Sequence, residues 1–136
     1  LNSKAIINEL MIKNFLVINC IGKDDKLGLR INKDFFIHYL KEKNNYDILV
    51  FEILNFLKIH HVKIDQRFSV IVNQGPGSFS GIRIALSIAK GLEISKKVKI
   101  FGYRNGDLKQ FDQQNIEKLL KKNLLEKKLI KPIYLS

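Results

Sequence analysis

Residues 69–91, S-V-I-V-N-Q-G-P-G-S-F-S-G-I-R-I-A-L-S-I-A-K-G, press a β-branched strand, a turn with three glycines and a helix into 23 positions. Val70, Ile71 and Val72 form a short apolar run suited to a strand buried on both faces. The chain must then reverse quickly into a helix. Gly75, Gly77 and Gly81 tolerate backbone conformations that a Cβ forbids, Pro76 fixes one φ between them, and Ser78 or Ser80 can cap the first free amides. Helix N-termini attract anions, so a phosphate cradle is one reading of the loop. Its spacing fits neither common form. A P-loop needs a lysine after the last glycine, where Ile82 stands, and G-x-G-x-x-G fails by one position because Ser80 occupies the third glycine's place. A tight structural turn between a core strand and a packing helix is the preferred reading.

Periodicity organises the rest. Residues 15–21 read as a strand, residues 26–31 pair with it as a hairpin, and 34–41, apolar on both faces, make a third antiparallel strand. A helix over 47–59 follows, then the strand 68–73 and its helix, then a strand over 97–101. A turn at Asn105-Gly106, a short strand over 108–111, a helix capped by Asp112 running to about 128 and a closing strand over 132–135 complete the chain. At 136 residues and 46% hydrophobic content, this suits one core. The expected division is an extension over 1–12, a main subdomain over 13–104 and a reduced C-terminal segment over 105–136.

Both long helices have apolar surface to spare. Over 47–59, Asp47, Glu52, Asn55 and Lys58 gather on one side and apolar residues fill the remainder, more than one sheet contact needs. On the second helix Arg83, Ser87 and Lys90 make a narrow polar stripe, and Gly81, Ala85 and Ala89 recur every four residues as a flat strip that a second helix could approach. The helices either cover each other and the sheet or receive a partner.

Other chemistry is sparse. Cys20 is the single cysteine and lies in an apolar strand, which excludes a disulfide framework and suits a reducing cytoplasm. His60 and His61 are adjacent, so on a helix their side chains diverge and cannot chelate one ion; no metal site is expected. No G-x-S-x-G elbow is present. No apolar stretch reaches the ~20 residues of a membrane span, so a soluble chain is expected. Net charge is +11, with eleven Lys or Arg against four acids from residue 96 onward. A solvated lysine-rich face is the preferred account, and an RNA adaptor the rival.

Gly75-Pro76-Gly77-Ser78-Phe79-Ser80-Gly81-Ile82-Arg83-Ile84-Ala85, followed by Ala89-Lys90-Gly91-Leu92, resembles the signature of the TsaB (YeaZ) family, G-P-G-S-F-T-G-[LIV]-R-I-G and then A-K-G-L. Ser80 replaces the usual threonine and Ala85 the usual glycine. The resemblance resumes at Pro132-Ile133-Tyr134-Leu135, similar to the family's P-x-Y-L-R, with Ser136 where arginine is usual. Family members are normally longer, so the second half reads as pared down.

The resemblance implies an α/β fold of the actin-like, Hsp70-like ATPase (ribonuclease H-like) class: a mixed sheet in the order βββαβαβ with flanking helices and a largely reduced second domain. It also implies a non-catalytic, cytoplasmic scaffold subunit in threonylcarbamoyladenosine modification of tRNA at position 37. That subunit would bind a TsaD-like catalytic partner through the two helices, work with a TsaE-like ATPase and meet tRNA through the complex, with self-association through the same helices as an alternative. Carried onto this chain, the expected contacts are Leu49, Ile53, Phe56 and Leu57 on one helix and Ile82, Ala85, Leu86 and Ala89 on the other. Gly75, Pro76, Gly77, Ser78, Phe79, Ser80, Gly81 and Arg83 form the signature loop. The helix start departs from the family, with Asn45-Tyr46-Asp47 where His-Ser-Glu-like runs are usual. So does the end of the first strand, where Asn19-Cys20-Ile21 stands in place of D-T-S and lacks the carboxylate a magnesium-bound nucleotide would use. No cofactor is therefore expected. The alternative is a nucleotide- or anion-binding enzyme using the loop over 74–81.

Overall fold

The two unbroken apolar runs lie side by side at the centre of a five-stranded sheet: β1 (Phe15–Asn19) and β4 (Ser69–Asn73), each buried along its whole length. The structure is a computed structural model that describes residues 13–40, 46–122, 126 and 130–133. β2 (Lys26–Ile31) and β3 (Asp34–Tyr39) continue outward from β1 in antiparallel register, and β5 (Lys99–Tyr103) adds to β4 in parallel, giving the order β3-β2-β1-β4-β5. Between strands run α1 (Leu49–Ile59) and α2 (Phe79–Lys96), and a 3-10 turn (Asn105–Asp107) precedes α3 (Gln113–Lys121).

Alternation along the strands builds two cores. Leu16, Ile18 and Cys20 of β1 and its continuation, with Val70 and Val72 of β4, face α1 and α2. Phe15 and Val17, with Ile71, Phe101 and Tyr103, face the other way, against Ile116, Leu119 and Leu120 of α3. A strand covered on both faces has no polar side to show, which is why β1 and β4 read as continuous apolar runs. The stretch from residue 105 onward thus supplies the second face's helix. Asp112 caps α3 by accepting from the Asn115 amide at 2.8 Å.

Several boundaries differ from expectation, each for a local reason. α2 ends when Lys97 takes a left-handed conformation (φ 61°), so the strand foreseen over 97–101 begins two residues later. α1 starts at Leu49 because Tyr46, buried and held by side-chain contacts, belongs to the turn before it. No strand forms over 108–111; Phe111 instead drops onto Gly28, beside Phe35. Pro132 and Ile133 carry no strand pairing, although the Ile133 amide donates to the Gln74 carbonyl at 2.8 Å. Glu126 forms an isolated bridge with Gly102. The expected extension over 1–12, parts of the helix foreseen to 128 and Tyr134, Leu135 and Ser136 lie outside the described residues.

Candidate functional site

The glycine loop leaves β4 beside the β1–β2 turn and packs directly on it. A Cβ on Gly77 would stand 2.8 Å from the Ile21 carbonyl oxygen, and one on Gly81 would stand 2.6 Å from the Cys20 carbonyl and 2.7 Å from the Tyr46 hydroxyl. Gly75 combines a φ of +98° with contact against Ile82, so it needs glycine both for conformation and for space. The peptide bond before Pro76 is cis. The Ser78 amide donates to the Ile21 carbonyl at 2.7 Å, and the Ser78 hydroxyl caps α2 by accepting from the Gly81 amide at 3.3 Å. Phe79 and Ser80 are exposed on the first turn of α2, with the Arg83 guanidinium 4.9 Å over the Phe79 ring.

Several polar groups at this end of the sheet are already engaged within the chain. The amides of Ile21 and Gly22 both donate to one oxygen of Asp25 at 2.9 Å, and the other oxygen accepts from the Tyr46 hydroxyl at 2.7 Å. That hydrogen bond and burial push the Tyr46 hydroxyl's pKa upward, burial being the larger cause. The Gly75 amide donates to the Asn73 side chain, and Asn73 in turn donates to Asn19 at 2.6 Å and Asn105 at 3.1 Å. Tyr103, fully buried, donates to Asn19 at 3.3 Å. The end of β1 is therefore a closed amide and phenol network. Cys20 lies beside it, buried, with its thiol pushed well up by desolvation and then by the field of Asp25. Among the described residues, no three His, Cys, Asp or Glu side chains gather as metal ligands. His60 stacks on Phe36 at 4.0 Å, and His61 is exposed at the helix end.

The helix pair requires a correction. Leu49, Ile53, Phe56, Leu57, Ile82, Ala85, Leu86 and Ala89 are all buried in this chain's own core, between helices and sheet. They cannot meet another chain's side chains. Gly81, Ala85 and Ala89 set α2 close against the sheet. The exposed apolar surface is the opposite side of α1, where Val50, Phe51 and Leu54 are 45%, 72% and 50% exposed, with Ile48 and Ile59 at its ends. On α2 the outward positions are Arg83, Ser87, Lys90, Gly91 and Ile94, flanked by half-buried Ile84, Ile88 and Leu92. The apolar surplus of the helices was visible in the sequence, but the residues expected to meet a partner lie on its inward half. The Asp25–Tyr46 contact left no trace in any motif.

The strand order, the crossing helices on one face and the glycine turn define an actin-like ATPase-fold subdomain. YeaZ from Pseudomonas aeruginosa shares that fold at a TM-score of 0.62 and 19% identity, over 71% of this chain and 45% of that one. A crystal structure of a protein with similarity to peptidase YeaZ, also from Pseudomonas aeruginosa, matches equally well, over 44% of its length. No family model matches the chain. In sequence it is 36% identical over 53 residues to the tRNA threonylcarbamoyladenosine biosynthesis protein TsaB of Buchnera aphidicola subsp. Baizongia pistaciae, covering 38% of this chain and 24% of that protein. It is 34% identical over 91 residues to the TsaB of Buchnera aphidicola subsp. Acyrthosiphon pisum, covering 62% of this chain and 40% of that protein. The chain is thus similar to TsaB (YeaZ) proteins in sequence over these stretches and in fold, and its matches span less than half the length of these relatives. Among the described residues no helix is long and apolar enough to cross a membrane.

Proposed function

We propose that this chain acts in threonylcarbamoyladenosine modification of tRNA as a non-catalytic subunit. In this reading it docks a TsaD-like catalytic partner through the outward faces of α1 and α2, within a complex that also takes a TsaE-like ATPase and works in the cytoplasm. The observation that carries the reading is the strip Val50, Phe51 and Leu54, three large apolar side chains turned to solvent on a helix whose other face already fills the core. Water-exposed apolar clusters of this kind mark protein contacts. The partner proposed is the one that the resemblance implies, and the names of the matched relatives support the pathway.

The loop over 74–81 supports a structural role. Gly77 and Gly81 make close approach to residues 20–21, and the amides of Gly75, Ser78 and Gly81 have acceptors within the chain.

The test is to mix the purified chain with the TsaD-like subunit of the same organism and measure mass by light scattering. A heterodimer that fails to form when Phe51 is replaced by Glu, with the variant still folded, supports the reading. A wild-type mixture that stays separate overturns it, and a homodimer broken by the same substitution assigns the face to self-association instead.

A further inference from the structure

We infer that the end of the sheet remote from the glycine loop carries a binding cleft for the phosphodiester backbone of RNA. The cleft has a volume of about 580 Å³ and is built from four separate segments: Lys13 and Asn14 before β1, Ile31 and Asn32 at the β2–β3 turn, residues 61–68 between α1 and β4, and Lys99 at the start of β5. Its size lies within the ~300–1,000 Å³ of ligand sites. Among the described residues, Lys13, Lys63, Arg67 and Lys99 line it with one carboxylate, Asp65, which binds Arg67 at 2.7 Å. Lys63 adds to the field that, with the Arg67 hydrogen bonds as the leading cause, lowers the pKa of Asp65.

The helix dipoles cannot account for this charge. α1 ends at the cleft, and its C-terminal partial charge of about −0.5 attracts one cation at most. Lys58 already occupies that last turn, and Lys96 serves α2. Among the described residues the lining carries four cationic side chains to one carboxylate. Those groups are exposed and spread over separate segments rather than buried and converging. A small phosphate would find no enclosed cradle there, whereas a strand of regularly spaced phosphates meets several cations at once. Val62 and Ile31, half-buried, with buried Phe68, give the cleft an apolar floor for sugar or base edges. The site is separate from the outer faces of α1 and α2 and does not rest on their reading.

The test uses the full chain and a fluorescein-labelled oligouridylate of about 15 nucleotides, followed by anisotropy across a salt series. Three contacts to single-stranded RNA predict a log–log salt slope near −2, from about −0.7 per phosphate neutralised. Replacing Lys13 and Lys63 together with Gln is expected to weaken binding roughly 25-fold at ~0.1 M salt and to flatten the slope by about 1.4. The charge-matched pair Lys118→Gln and Lys121→Gln, exposed on or beside the end of α3, should change affinity less than about twofold. Asp65→Asn, which keeps the acceptor for the Arg67 amide, should tighten binding. Equal losses from both lysine pairs, no loss from the first, or no wild-type binding at low salt overturns the inference. Displacement of the RNA by pyrophosphate at fixed ionic strength also overturns it, in favour of a small-anion site.

Discussion

Replacing Phe51 with Glu should separate the proposed docking from folding. The side chain is 72% exposed, so roughly 140 of its ~200 Å² is available to a partner. At about 25 cal/mol per Å², full coverage contributes about 3.5 kcal/mol, a change of several hundredfold in the dissociation constant. Partial coverage still leaves at least a tenfold effect. The fold should barely register the change, because surface substitutions of this kind usually fall within about 0.5 kcal/mol. Ala85→Glu is the counterpart. Ala85 is 0% exposed and faces the sheet, so a buried carboxylate there costs several kcal/mol, a large part of the ~5–15 kcal/mol that holds a domain together. Titration calorimetry against the TsaD-like subunit and urea melts of both variants form the assay. Wild-type affinity in Phe51→Glu, or wild-type stability in Ala85→Glu with binding abolished, would refute the assignment of inner and outer faces.

Gly81→Ala should destabilise by about 1–3 kcal/mol in urea melts, since its Cβ meets the Cys20 carbonyl at 2.6 Å. Gly91→Ala, on an exposed helix position with nothing within 4 Å, should stabilise by about 0.5–1 kcal/mol. Burial raises the Cys20 thiol above its ordinary value of 9.0, so above that pH the unfolded chain releases a proton that the folded chain keeps. Stability should therefore fall with rising pH there, with a limiting slope of about 1.4 kcal/mol per unit from this group, and Cys20→Ala should remove that component.

The succession of strands and helices along the chain was legible because burial on two faces and on one face leave different periodicities. β1 and β4 announce themselves by unbroken apolar runs, and β2 by the alternation that puts Leu27 and Leu29 inward. The inward face of α1 was not legible. Leu49, Ile53, Phe56 and Leu57 form one apolar stripe and Val50, Phe51 and Leu54 another, and hydrophobicity alone does not say which meets the sheet. The same limit applied to α2, where small residues suit a close approach to a sheet as well as to a foreign helix. The network of Asn19, Asn73, Asn105 and Tyr103 joins residues up to 84 positions apart, so no local spacing could encode it.

The glycine signature and the helix ledge are physically connected through the β1–β2 turn. Residues 20 and 21 receive Gly81, Gly77 and the Ser78 amide, which fixes where α2 begins; Asp25 holds the same turn and, through Tyr46, the approach to α1. One turn thus sets the starting points of both helices and with them the outward strip. Asp25→Ala should therefore do more than lower global stability by the ~1–3 kcal/mol of orphaned polar groups. It should loosen the start of α1 selectively, because the Leu49 amide is held by the Tyr46 carbonyl at 3.1 Å while α3 is anchored independently on the sheet's other face. Hydrogen exchange should show protection falling first in residues 46–53, with α3 affected only by the global loss. Equal loss in both helices would mean that the turn is merely another piece of core, and the link between the signature and the proposed docking face would fail.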